Sequence, residues 1–185
     1  MDSLDYDHEI DELEEEPDFE IIAGNKILME SPNIIHQTIR VRLGYLFTSY
    51  IDSKNIKAIV ICSRVDVHLS DKNQFMPDVI IICDLKTVEN DEFVDGAPDL
   101  VVEVLSESTK QYDIGAKKDA YEKYGVKEYW IVDPSDRSIK VYHNVDGKFN
   151  LSGEYQVNGD KTEIKVSIFD DLIVNIRKVF KWWLD

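Results

Sequence analysis

The sequence predicts an α+β fold: a mixed central β-sheet flanked by at least two helices, with an added β-meander. Three observations carry that prediction. Two strand-length runs, Val79–Cys83 and Leu100–Leu105, place apolar residues on both faces, as in strands covered from both sides. Two other segments repeat apolar residues every three or four positions, the period of an amphipathic helix. Beyond Asp133 the chain breaks into short runs separated by Pro134-Ser135-Asp136, Asp146-Gly147 and Asn158-Gly159, all of them turn chemistry.

From the N-terminus, Glu20–Ile22 and Lys26–Met29 read as a hairpin turning at Ala23-Gly24-Asn25. Ser31-Pro32-Asn33 starts a helix, with Ser31 as the cap-type residue and Pro32 where a missing N–H is harmless. Ile35, Ile39, Leu43, Leu46 and Tyr50 set its apolar stripe over about five turns. Lys57–Cys62 and Val65–Leu69 read as strands, and Pro77–Cys83 and Pro98–Leu105 as more deeply buried ones. Asp113 opens a second helix that runs through Tyr124 and stops at Gly125. Lys127–Val132 is a strand, and Ile139–His143, Lys148–Gln156 and Lys161–Val166 form the meander. A short helix at the C-terminus ends in Trp182-Trp183. No linker is evident after the first twenty residues. The chain therefore reads as one domain, residues 19–185, behind an acidic tail, residues 1–18.

Charge narrows the function. The net charge is −16, and eleven of those units come from the first twenty residues, which hold no Lys or Arg. The folded part is thus only mildly acidic, and composition gives no support to tight nonspecific nucleic-acid binding, which needs several Lys/Arg–phosphate contacts. The apolar run Val79–Cys83 is far short of the ~20 residues that span a bilayer. Cys62 and Cys83 each lie in an apolar run without a C-x-x-C partner, so they read as reduced core thiols of a cytoplasmic protein. A zinc ribbon, a disulfide scaffold and a membrane span are excluded.

The chemistry concentrates around Glu103. Strand alternation sets Leu100, Val102 and Val104 on one face and Val101, Glu103 and Leu105 on the other. Glu103 is therefore a carboxylate in the middle of a buried strand, where leaving it unpaired costs several kcal/mol. It needs a cation, a proton or a donor. Asp78 opens the preceding buried strand, and if the two strands are neighbours their carboxylates converge, an arrangement suited to Mg²⁺ or Mn²⁺. In the following helix, Ile114, Lys117, Tyr121 and Tyr124 share one arc, which turns Lys117 inward. The alternative for Lys117 is snorkelling, with its stem packed and its ammonium in water. Lys118 and Lys123 fall outside the arc, in i,i+4 pairs with Glu122 and Asp119. His36, His68 and His143 are dispersed; two roles are open to His36 near its helix start, facing the cavity or, the preferred one, a surface or capping role.

Val94-Asp95-Gly96-Ala97-Pro98-Asp99-Leu100-Val101-Val102-Glu103-Val104-Leu105-Ser106, then Tyr112-Asp113-Ile114-Gly115-Ala116-Lys117, Tyr121 and Glu128-Tyr129-Trp130-Ile131-Val132-Asp133-Pro134 resemble the Uma-two family. That family belongs to the restriction-endonuclease-like PD-(D/E)XK superfamily. The resemblance extends from about Phe19 to the C-terminus and includes Pro77-Asp78. It implies a restriction-endonuclease-like fold and a metal-dependent endonuclease that hydrolyses DNA phosphodiester bonds. By the same resemblance, Asp78, Glu103 and the backbone carbonyl of Val104 hold Mg²⁺ (or Mn²⁺). The superfamily places a lysine two residues after the glutamate, but here that position is Leu105. The family's lysine has moved to the next helix, which points to Lys117, with Lys110 as the competing candidate. The catalytic set implied is thus Asp78, Glu103 and Lys117. Two other classes stay open: a binding module on a nuclease scaffold, favoured by the missing Glu-x-Lys and the acidic surface, and a homo-oligomeric regulatory protein. The Trp182-Trp183 end would be the adhesive surface of a homodimer or higher oligomer.

Overall fold

The structure is a computed structural model that describes residues 17–89 and 91–181. The acidic segment through residue 16 and the Trp182-Trp183 helix expected at the C-terminus lie outside the described residues. In chain order, β1 (Phe19–Ile22) and β2 (Asn25–Leu28) form a hairpin ahead of the long helix α1 (Ile34–Lys54). Then come β3 (Ile59–Ile61), β4 (Val67–Ser70), β5 (Asn73–Phe75), β6 (Val79–Ile82), β7 (Val94–Asp95) and β8 (Leu100–Val104). Two short helices, α2 (Lys110–Ile114) and α3 (Ala116–Tyr124), lead into β9 (Glu128–Asp133), β10 (Ser138–Val145) and β11 (Lys148–Gln156). The last elements are β12 (Glu163–Lys165), β13 (Ile173–Asn175) and α4 (Ile176–Val179).

The central sheet has six strands in the order β11-β10-β9-β8-β6-β3. It is mixed: β8 and β9 run parallel, joined by the α2–α3 crossover, and their other neighbours are antiparallel. Both faces are covered, as the apolar content of β6 and β8 requires. On one face Leu100, Val102 and Val104 pack with Ile39, Leu43 and Phe47 of α1 and with the β12–β13–α4 corner. On the other, Val101 and Leu105 pack with Tyr121 of α3 and with Phe75 and Val67. Those last two residues belong to a second sheet of five strands, β2-β1-β5-β4-β7, which the sequence does not announce.

Several boundaries differ from expectation for identifiable reasons. The cap of α1 is Asn33, whose side chain accepts the His36 N–H at 2.9 Å, so the helix begins after the Ser31-Pro32 pair. Its buried stripe runs through Ile39, Leu43, Phe47 and Ile51, which rotates the inward face slightly from the expected one. Asp113 does not open the second helix; it lies in the last turn of α2. The break falls at Gly115, where an added Cβ would stand 2.9 Å from the Gln111 carbonyl. The β9–β10–β11 meander forms, but the third expected strand leaves it: β12 pairs with β13 in a separate two-stranded sheet. No helix among the described residues is long and apolar enough to cross a membrane, and Cys62 and Cys83 are free thiols.

Candidate active site

A cleft of about 780 Å³ opens beside the ends of β6 and β8, between the start of α1 and the loop before α2. Asp78, Glu103, Val104 and Lys117 all line it. The antiparallel register Val79↔Val102, extended by one residue, sets Asp78 opposite Glu103 on adjacent strands. The sequence expectation that these two residues lie on adjacent strands is met by the strand pairing.

Asp78 is held by three neighbours. Its Oδ2 accepts a hydrogen bond from the Val104 amide at 2.8 Å and lies 3.1 Å from His36 Nε2, while Oδ1 stands 3.6 Å from Arg40 Nε. His36 and Arg40 are one turn apart on α1, at 8% and 6% exposure. His36 thus faces the cleft instead of capping the surface.

Glu103 is 3% exposed. Its Oε1 accepts from the Tyr121 hydroxyl at 2.8 Å and contacts Lys117 Nζ at 2.8 Å. Lys117 does not snorkel; it is 1% exposed, with its ammonium ringed by Glu103, Glu20 at 2.9 Å and Asp113 at 3.1 Å. Three carboxylates match the three N–H donors of an ammonium in number, but they exceed its charge. Burial pushes the Glu103 carboxyl well above the usual carboxylate range; Lys117 opposes that rise, and Asp113, Asp78 and Glu20 add to it. Burial likewise raises Asp113, against the pull of Lys117 and Thr109. Burial pulls the Lys117 ammonium down, but the three carboxylates outweigh it and hold the group well above its ordinary value.

The helical lysine facing inward was legible from periodicity, whereas its partners were not. Glu20 is the last acid of the N-terminal run and reads as one more tail charge, yet it lies on β1 at 1% exposure. Asp113 reads in sequence as a helix opener, though its i,i+4 spacing to Lys117 is the signal of an ion pair. For His36 and Arg40 the signal was their place on the same face of α1 as Leu43 and Phe47. The exposed lysines differ too. Glu122 pairs with Lys148 and the Phe149 amide, and Lys118 sits 4.7 Å over the Tyr142 ring. At the rim, Arg64 pairs with Asp18, and Lys110 with Asp133 at 3.0 Å.

The oxygen-only donor set of Asp78, Glu103 and the Val104 carbonyl fits a hard divalent cation. Beyond burial, Asp113, Asp78 and Glu20 surround Glu103 with like charge against the single ammonium of Lys117, so an added cation is favoured there. Among the described residues no group of three or more His, Cys, Asp or Glu side chains is arranged to hold a metal. A two-carboxylate site therefore suits an ion such as Mg²⁺, which keeps several waters, better than one needing an all-protein cage.

Comparison with known proteins agrees with this architecture. A Synechocystis protein known as uncharacterized slr1290 is 32% identical over 131 residues, which is 70% of this chain and 67% of that protein. The crystal structure of a "putative nuclease" belonging to DUF820 from Anabaena variabilis superposes with a TM-score of 0.68 at 20% identity, over 90% of this chain and 91% of that one. That likeness establishes a shared fold. The Uma2 family model, described as "Putative restriction endonuclease", matches residues 5–176. The chain therefore belongs to the Uma2 family of restriction-endonuclease-like proteins.

Proposed function

We propose that this protein is a divalent-metal-dependent endonuclease that hydrolyses DNA phosphodiester bonds. The observation that carries the reading is the convergence of Asp78 and Glu103 across two paired strands, with Lys117 2.8 Å from Glu103 in the same cleft. Asp78, Glu103 and the Val104 carbonyl would hold Mg²⁺ or Mn²⁺. Once bound, the ion would polarise the phosphodiester and lower the pKa of an attacking water. The Val104 amide and His36 fix the Asp78 carboxylate, so it meets its ligand without reorganising. Tyr121 orients Glu103 through Oε1. Lys117 places a fixed positive charge beside the site, where it offsets charge developing on the phosphate and orders the water. The protein is read as one domain over residues 19–185 behind its acidic tail, as cytoplasmic, and as a homodimer or higher homo-oligomer.

Incubation of supercoiled plasmid, single-stranded and branched DNA with Mg²⁺ or Mn²⁺ tests the reading. Wild type is expected to cut at least one of them, and Glu103→Gln none. One observation favours a second reading, a binding module on the nuclease scaffold that does not cut: two residues after Glu103 stands Leu105 in place of the superfamily's lysine. DNA binding by wild type without cleavage under either metal would select it.

A further inference from the structure

Glu20 comes from the five-stranded sheet, whereas Glu103 lies in β8 of the six-stranded one and Asp78 directly precedes its β6. A single oxygen of Glu20, Oε1, accepts from Lys117 Nζ at 2.9 Å and from the Met76 amide at 2.7 Å. Met76 is two residues before Asp78, and Lys117 contacts Glu103. One carboxylate oxygen thus joins the lysine beside one acid of the site to the chain that enters the other. The remaining oxygen, Oε2, is buried without a hydrogen-bond partner among the described residues. A carboxylate kept only to pin two strands would fill both oxygens with neutral donors, as Glu128 does with the Trp130 indole and Ser167.

We infer that Glu20 is a positioning residue for Lys117, an inference that rests on the nuclease reading. It shares the ammonium with Glu103 and Asp113, at 2.9 Å beside their 2.8 and 3.1 Å, and so fixes where that charge stands relative to the reacting phosphodiester. Glu20 is absent from the residues that line the cleft, so its route to the reaction runs through Lys117, while the Met76 amide anchors the oxygen that holds that lysine.

The test uses Glu20→Gln, whose amide oxygen still accepts the Met76 N–H while the charge that holds Lys117 is gone. Glu163→Gln, on β12 of the small C-terminal sheet, controls for lost charge. Four readouts are expected. The ¹⁵N resonance of the Lys117 ammonium, protected by burial, shifts in Glu20→Gln and not in the control. Mn²⁺ affinity by calorimetry is unchanged. The kcat for DNA cleavage falls by about 10²-fold with KM unchanged, the scale of a displaced catalytic group. In a Lys117→Met background Glu20→Gln causes no further loss, as a residue acting only through Lys117 must. An unshifted ammonium resonance, a kcat equal to wild type, a marked loss of Mn²⁺ affinity, or an additive loss in the double variant would each overturn the inference. Wild type that neither binds Mn²⁺ nor cuts would instead overturn the nuclease reading itself. If Glu20→Gln does not fold, Glu20→Asp, which keeps the charge and shortens its reach, takes the same measurements.

Discussion

Glu103 on β8 and Glu128 on β9 are buried glutamates on neighbouring parallel strands, at 3% and 0% exposure. Glu128 receives neutral donors: the Trp130 indole at 2.6 Å on one oxygen, and the Ser167 amide and hydroxyl, both at 2.5 Å, on the other. It ties the loop after β12 to the central sheet. Glu103 instead shares one lysine with two further acids and opens onto a cleft. A buried acid satisfied by uncharged donors serves the fold. One crowded by like charge stores unfavourable energy that a cation can relieve, which is the signature of a functional centre. The difference lies in the partners, since burial is nearly the same.

The largest separation between the two is expected in catalysis. Glu103→Gln should lower plasmid nicking by ~10³-fold or more, since loss of a metal ligand removes several kcal/mol of transition-state stabilisation. Its denaturation midpoint should hold or rise, because the amide still accepts from Tyr121 while one crowded charge is gone. It should also lose any Mg²⁺-induced rise in melting temperature, because a ligand that binds only the folded state stabilises it. Glu128→Gln should leave the nicking rate per folded molecule at the wild-type level.

Within the lysines, Lys117→Ala should slow cleavage by ~10²–10⁴-fold, the range for a lost electrostatic or proton-transfer group. Lys110→Ala and Lys118→Ala should change it little, because an exposed ion pair or ring contact contributes at most ~1 kcal/mol. Wild-type rates in Lys117→Ala beside an inactive Lys110→Ala would move the assignment to the rim of the cleft.

For stability the order reverses. Glu128→Ala strands the Trp130 indole and the Ser167 amide, and urea denaturation should report a loss of roughly 2–4 kcal/mol. The pH dependence is gentler. Glu103 holds its proton more tightly when folded than when unfolded, so the folded state binds more protons at and above the ordinary carboxylate range. Stability should therefore fall as pH rises from that range toward the raised Glu103 value, by at most ~1.4 kcal/mol per pH unit. Glu103→Gln should flatten this slope.

The same contrast explains what could be read in the sequence. Strand β8 and helix α3 carry strong local signals, a double-sided apolar run and a 3.6-residue period; β8 formed where expected, and α3 is the part of the expected Asp113–Tyr124 helix beyond the break at Gly115. Asp78 opposite Glu103 followed from two consecutive buried strands. The five-stranded sheet was not legible, because β5 holds Asn73 and Gln74 and β7 is two residues long, too little for either pattern to register. Glu20 and Glu128 escaped for a related reason. An acid's burial depends on partners 97 and 39 residues away, Lys117 and Ser167, and no periodicity encodes such a contact.

Anomalous diffraction from a crystal grown with Mn²⁺ bears most directly on the claim that Asp78 and Glu103 form a cation site. A peak between the two carboxylates, at ~2.1 Å from their oxygens as for a small hard divalent ion, and absent from Glu103→Gln crystals, is the predicted result. A peak bound elsewhere, or one that persists at full height in Glu103→Gln, would contradict it.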